Sequence, residues 1–147
     1  MSTRSNDNDE VRRLFRVHVP EVASGAVEIK GIARETGHRA IVVVHASNAG
    51  ICPVGSCVGK RGERVKTVVR ALPGDKVDIV RWSDSLQDFI RNLLAPARVE
   101  HIAFDIAAHR ATVTVAADST VTLTKNGGIR LRLASRLAGW DLQLIET

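Results

Sequence analysis

Apolar residues along this chain switch between two periods, and the switch occurs twice in the same order. Arg39 to Ala46 (RAIVVVHA) is a β-branched run that predicts a strand. A loop follows, then the glycine pair Gly59 and Gly62, and then a stretch in which Val65, Val68, Val69 and Leu72 fall on one face of a helix while Lys66 and Arg70 fall on the other. Pro73-Gly74 stops that helix, and Val77 to Trp82 (VDIVRW) reads as the next strand. The second pass begins at Arg110 to Ala116 (RATVTVA), turns at Lys125-Asn126-Gly127-Gly128, and continues as a helix over Ile129 to Ala138 with Ile129, Leu133, Ala134 and Leu137 on its apolar side. Arg132 and Arg136 lie opposite that stripe, Gly139 ends the helix, and Trp140 to Ile145 (WDLQLI) is a strand.

Each pass is preceded by a matching half. Val11, Leu14, Phe15 and His18 have helical spacing within Val11 to Val19, and the strand Val27 to Ala33 (VEIKGIA) comes next. Leu86, Phe89, Ile90, Leu93 and Leu94 share one face of a helix over Ser85 to Ala95, followed by the strand Val99 to Ile106 (VEHIAFDI). Asp84 with Gln87 three residues on predicts the capped start of that helix, and Pro96 its end. The order helix, strand, strand, helix, helix, strand therefore occurs twice. The fold class is α+β, with units at 11–82 and 83–147 and a disordered tail at 1–10. Phe15, Phe89, Phe104, Trp82 and Trp140 are expected in the core.

A chain of 147 residues with 44% hydrophobic residues suits one ordinary domain or two small ones. Lys and Arg total 21 against 16 Asp and Glu, a net +5 that favours a polyanionic partner. No apolar run is long enough to span a bilayer and the first residues (MSTRSNDNDE) contain no apolar segment, so no membrane association or secretion is expected and a cytoplasmic location follows. Cys52 and Cys57 form a lone C-x4-C, and the histidines at 18, 38, 45, 101 and 109 are scattered. No zinc template forms, no cofactor is expected, and both thiols read as reduced and structural.

Gly59-Lys60-Arg61-Gly62 carries the chemistry. Two glycines around two cations, opening a helix, bring backbone amides and positive charge against a phosphodiester strand, because glycine takes positive φ without a Cβ penalty and the helix start attracts anions. Gly55-x-x-x-Gly59-Lys60-Arg61 falls one residue short of a nucleotide-binding P-loop and places Arg where Ser or Thr would reach magnesium. Asp75, Asp78, Asp84 and Asp88 are dispersed, and no nucleophile motif is present, so an enzyme is not expected. Aromatic residues make up 3%, too few for recognition by stacking bases on rings. Val58, Val65 and Ile79 suit either an aliphatic groove for bases or ordinary core packing.

Several runs resemble the tandem KH domains of the NusA family of bacterial transcription factors. They are Arg13-Leu14-Phe15, Val19-Pro20-Glu21-Val22, Pro53 to Val65 (PVGSCVGKRGERV), Val77-Asp78-Ile79-Val80 with Trp82-Ser83-Asp84, and Leu133 to Trp140 (LASRLAGW). The resemblance covers nearly everything from Val11 onward. It implies two type II KH domains, each a three-stranded sheet with helices on one face, that hold single-stranded RNA and modulate pausing, termination or antitermination, with RNA polymerase or other transcription factors as further partners. RNA contact is then expected at Gly59, Lys60, Arg61, Gly62 and Arg64 in the first unit, and at Lys125, Asn126, Gly127 and Gly128 in the second. The family carries a polymerase-binding domain and an OB-type barrel ahead of the KH pair, and this chain has room for neither, so a stand-alone pair is expected. Lys125 stands where the family has glycine, which weakens the second loop without abolishing it, since Asn126 tolerates a left-handed conformation. The short link from Trp82 to Asp84 implies one continuous RNA track. The competing reading is a protein adaptor that keeps the KH scaffold to dock on polymerase, ribosome or another factor.

Overall fold

A computed structural model describes residues 3–147, with side chains from residue 8 onward. The chain forms two compact units that divide between Trp82 and Ser83. Unit 1 runs α1 (Thr3–His18), α2 (Pro20–Ser24), β1 (Glu28–Glu35), β2 (Arg39–His45), α3 (Pro53–Val58), a 3-10 turn (Lys60–Gly62), α4 (Glu63–Arg70) and β3 (Lys76–Arg81). Unit 2 runs α5 (Leu86–Leu94), β4 (Val99–Asp105), β5 (Arg110–Val115), α6 (Ala117–Ala138) and β6 (Asp141–Glu146).

Both sheets share one topology. The middle strand pairs antiparallel with the first, from Glu28↔His45 to Glu35↔Arg39 in unit 1 and from Val99↔Val115 to Asp105↔Arg110 in unit 2. It pairs parallel with the last, from Arg39↔Lys76 to Val44↔Arg81 and from Arg110↔Asp141 to Val115↔Glu146. A parallel neighbour requires a crossover, and in each unit the helices around the glycine loop supply it. Each first strand is also bulged near its start, at Ile29/Gly31 and Val99/His101. The observed architecture is thus the expected α+β class, two three-stranded sheets with their helices.

Burial follows the sequence periods. In unit 1, Val11, Leu14, Phe15 and Val19 close over Ala40, Val42 and Val44 of β2, with Cys57, Val68 and Leu72 completing the core. In unit 2, α5 packs against α6, and Val113, Val115, Leu123, Leu133 and Leu142 are buried. Gly139 closes α6 in a left-handed conformation, φ 75°.

Three expectations are corrected. Ser85, not Asp84, caps α5, its Oγ accepting from the Asp88 N–H at 3.4 Å. Ser85 has the extended backbone a cap needs, and its short hydroxyl reaches the third residue on. The expected tail at 1–10 is helical from Thr3, and residues 1–2 lie outside the described residues. Its anchors are polar and so invisible to an apolar count: Asn8 donates to the Ile32 carbonyl at 3.3 Å, and Glu10 pairs with Arg34 at 2.8 Å. Finally, Phe15 and Phe89 are buried, but Phe104, Trp82 and Trp140 are only half-buried and lie in ring contacts.

One joint is built twice from different chemistry. In unit 1, Arg34 sits on β1 opposite Ala40, and Asp75 immediately precedes β3. The two side chains are fully buried and form a fork, Nε to Oδ2 at 2.7 Å and Nη2 to Oδ1 at 3.2 Å, while Asp75 also accepts the Gly37 N–H at 2.8 Å. Burial alone would lower the Arg34 pKa, but its hydrogen bonds to Asp75 and Glu10 outweigh this and raise it. In unit 2 the same two places hold Phe104, opposite Ala111, and Trp140, immediately before β6. Their rings meet edge to face at 5.1 Å, and His109 stacks on Trp140 at 4.1 Å.

Candidate nucleic-acid interface

The Gly59 loop is a chain reversal between two short helices. Pro53 starts α3 with its fixed φ, Cys52 Sγ accepts the Gly55 N–H at 3.4 Å, and the helix ends at Gly59. Gly59 has φ 76°, ψ 173°, a conformation open essentially to glycine alone. A Cβ there would lie 2.7 Å from Arg64 Cγ, so the position also requires glycine for space. Gly62 has φ 75°, but a Cβ would meet only Lys66 Cε at 3.7 Å, so it requires glycine for conformation alone.

Between them Arg61 takes a left-handed φ of 57°, at a cost of about 1 kcal/mol for a residue with a Cβ. Glycine would relieve that cost. The chain instead keeps an exposed cation at the bend, beside exposed Lys60. The bend thus combines a left-handed backbone with two exposed cations. A cavity of about 690 Å³ adjoins it, lined by Glu21, Ile51, Ser56, Gly59, Lys60 and Arg64.

The second loop reaches a similar reversal by another route. Lys125 stands in the place of Gly59 and takes an ordinary φ of −54°. Three consecutive left-handed residues follow: Asn126 at φ 54°, Gly127 at 72° and Gly128 at 75°. Asn126 adopts the left-handed state expected of it. Lys125, Asn126 and Gly127 are exposed, and a Cβ on Gly127 or Gly128 would enter open space. A groove of about 410 Å³ leads from Gly127 and Gly128 past Leu131, Arg132 and Ser135 to Leu142 on β6. The first loop therefore carries two exposed cations and the second loop one.

Arg64 is placed differently from the loop cations. Its Nη1 donates to Glu21 Oε1 at 2.8 Å and to the Ser56 carbonyl at 2.7 Å, with both side chains of the ion pair half-buried at the edge of the cavity. Arg64 is expected at the RNA from the sequence, and its partner Glu21, in another of the runs that resemble the KH pair, lies outside the expected set. Val58, Val65 and Ile79 are all half-buried, and Ile79 packs on the unit 1 core. Cys57 is buried, and that burial, with Glu21 adding to it against Arg64, pushes its thiol up to about 11. Among the described residues no group of three or more His, Cys, Asp or Glu could hold a metal ion, and no helix is long and apolar enough to cross a membrane.

Two units of strand-paired helix, glycine loop and helix, each with the loop at the crossover, define a tandem KH fold. The family model for the NusA-like first KH domain matches residues 5–82, and that for the NusA-like second KH domain matches residues 86–147. The chain belongs to the NusA-like KH family. It is 43% identical over 136 residues to the transcription termination/antitermination protein NusA of Thermus thermophilus, an alignment covering 92% of this chain and 35% of that protein. The NusA proteins of Rickettsia prowazekii and Bacillus subtilis are 41% and 38% identical, over 95% and 91% of this chain and 28% and 36% of theirs. The chain thus spans about a third of the length of these relatives. In fold it is similar to the crystal structure of APE1850, with a TM-score of 0.64, 20% identity, and 93% of this chain and 95% of that one covered.

Proposed function

We propose that this chain binds single-stranded RNA through its two glycine loops and acts in transcription termination or antitermination, the process named for its relatives. The observation that carries the reading is the pair of left-handed, cation-bearing loops at equivalent places in two repeated units. Gly59, Lys60, Arg61 and Gly62 hold the sugar-phosphate backbone in one, and Lys125, Asn126, Gly127 and Gly128 in the other. Such loops let the backbone approach phosphates closely, whereas duplex RNA offers no unstacked strand to clamp. The paucity of aromatic residues agrees with a clamp that does not depend on ring stacking.

Fluorescence anisotropy with unstructured RNAs of increasing length tests this. Each unit grips about four nucleotides. Affinity rises steeply from about four to about ten nucleotides if both units engage one strand, because the second contact is then intramolecular. It falls with salt at a slope of about 0.7 per phosphate neutralised. Equal affinity for duplex, or binding insensitive to salt, refutes the reading. Absence of RNA binding together with capture by polymerase would point to the adaptor instead.

A further inference from the structure

We infer that Arg64 and its counterpart Arg130 are positioning residues that fasten each glycine loop to the leading helical segment of its own unit. The inference rests on the loops being RNA grips, but the fastening itself is measurable without RNA. Arg64 stands two residues after Gly62, and Arg130 two residues after Gly128, each in the first turn beyond its loop.

Arg64 touches three elements at once. Its guanidinium joins Glu21 in α2 to the Ser56 carbonyl in α3, and its Cβ, Cγ and Cδ lie 3.0, 2.7 and 3.0 Å from where a Gly59 Cβ would be. The loop is therefore packed on the arginine's stem while one nitrogen of the arginine's head, Nη1, is held by both partners. Arg130 makes the equivalent reach with other partners. Its Nε and Nη2 donate to the Leu93 carbonyl at 3.4 and 3.3 Å, and Nη2 also to the Ala95 carbonyl. Leu93 lies in the last turn of α5 and Ala95 just beyond it, where carbonyls lack helical partners and a cation is favoured.

The partners differ, a carboxylate in α2 and a carbonyl in α3 for Arg64 and two carbonyls at the end of α5 for Arg130, but each arginine ties the turn just after its loop to the helical segment that leads its unit. That common reach through unlike partners is what a mechanical link requires. Nη1 is committed to Glu21 and Ser56, and a phosphate drawn to the rest of the guanidinium would still meet the Glu21 carboxylate nearby. Fixing the loop within the fold lowers the ordering cost that binding would otherwise carry.

Glu21→Gln separates the two roles by sign. If Arg64 is a phosphate ligand, removing the acid frees it and RNA affinity rises. If Arg64 is a strut, affinity falls, by about threefold to tenfold, roughly the loss of one charge-assisted hydrogen bond. Arg64→Gln gives the second readout: a lost phosphate contact lowers the salt slope by about 0.7, whereas a lost strut weakens binding with the slope unchanged. Arg130→Gln does the same for unit 2. Trypsin supplies the measurement that needs no RNA, since Lys60 and Arg61 lie in the loop and cleavage after them quickens in Glu21→Gln if the fastening is real. Raised affinity in Glu21→Gln, a reduced slope in Arg64→Gln, or unchanged cleavage overturns the inference. If the unaltered chain binds no RNA, the proposed function falls and the cleavage rates still decide the strut.

Discussion

Replacing Gly59 by alanine should be the most damaging single methyl group that can be added to the first loop. Two costs combine. At φ 76°, ψ 173° an alanine occupies a region essentially reserved for glycine, at about 1–3 kcal/mol. The new Cβ also lies 2.7 Å from Arg64 Cγ, which is mid-chain and cannot swing aside while Nη1 holds Glu21 and Ser56. Yielding forces Arg64 off its rotamer or breaks a charge-assisted bond, about 1–2 kcal/mol more. The expected loss is about 2–5 kcal/mol, a large share of the stability of a small unit. Gly62→Ala meets only Lys66 Cε at 3.7 Å and carries the left-handed cost alone, about 1–2 kcal/mol. Urea unfolding followed by intrinsic fluorescence measures both, as a shift in midpoint at constant slope. Adding Arg64→Ala to Gly59→Ala isolates the clash, since part of the penalty then disappears. If Gly59→Ala is no more harmful than Gly62→Ala, the packing of the loop on the Arg64 stem is refuted.

Three further outcomes follow. Lys60→Asp with Arg61→Asp reverses two charges at the loop and should abolish RNA binding, whereas Lys125→Asp with Asn126→Asp should weaken it less; the opposite ranking at native circular dichroism would show that the second loop dominates. Asp75→Ala removes the buried fork on Arg34 and leaves Glu10 to hold the guanidinium, and should cost about 3 kcal/mol in urea unfolding, more than Glu10→Ala at the half-exposed end of the same cluster. Cys57, its thiol pushed up to about 11 by burial, stays protonated near neutral pH, so a thiol reagent should modify exposed Cys52 alone in the native chain and both cysteines in denaturant.

Periodicity made the element order legible because the chain states it twice. The stripe Val65, Val68, Val69, Leu72 and its partner Ile129, Leu133, Ala134, Leu137 specify helices of one kind at one place, and the strands fall within two residues of expectation at every end. Side-chain bonding over long sequence distances was not legible. Arg34 and Asp75 are 41 residues apart, Arg64 and Glu21 are 43 apart, and nothing in an apolar count couples them. The helical start of α1 escaped for the same reason, since Asn8 and Glu10 bond to β1 through polar atoms. Arg64 was recognisable by a different route. Aligning Gly59-Lys60-Arg61-Gly62 on Lys125-Asn126-Gly127-Gly128 places Arg64 on Arg130, and an arginine repeated at the base of two otherwise dissimilar loops serves what the loops have in common.

The doubled joint makes the two units unequal in how they respond to heat. Arg34 with Asp75 and Phe104 with Trp140 occupy the same places in the same topology, so the chain carries a charged and an uncharged version of one connection. The desolvation penalty of an ion pair shrinks as temperature rises, while apolar burial gains little more per unit area. Warming therefore favours the joint of unit 1 over that of unit 2. Exchanging the two pairs between the units would carry that preference with them, making the joint a two-residue cassette by which the relative thermal tolerance of the repeats can be reset without touching either loop.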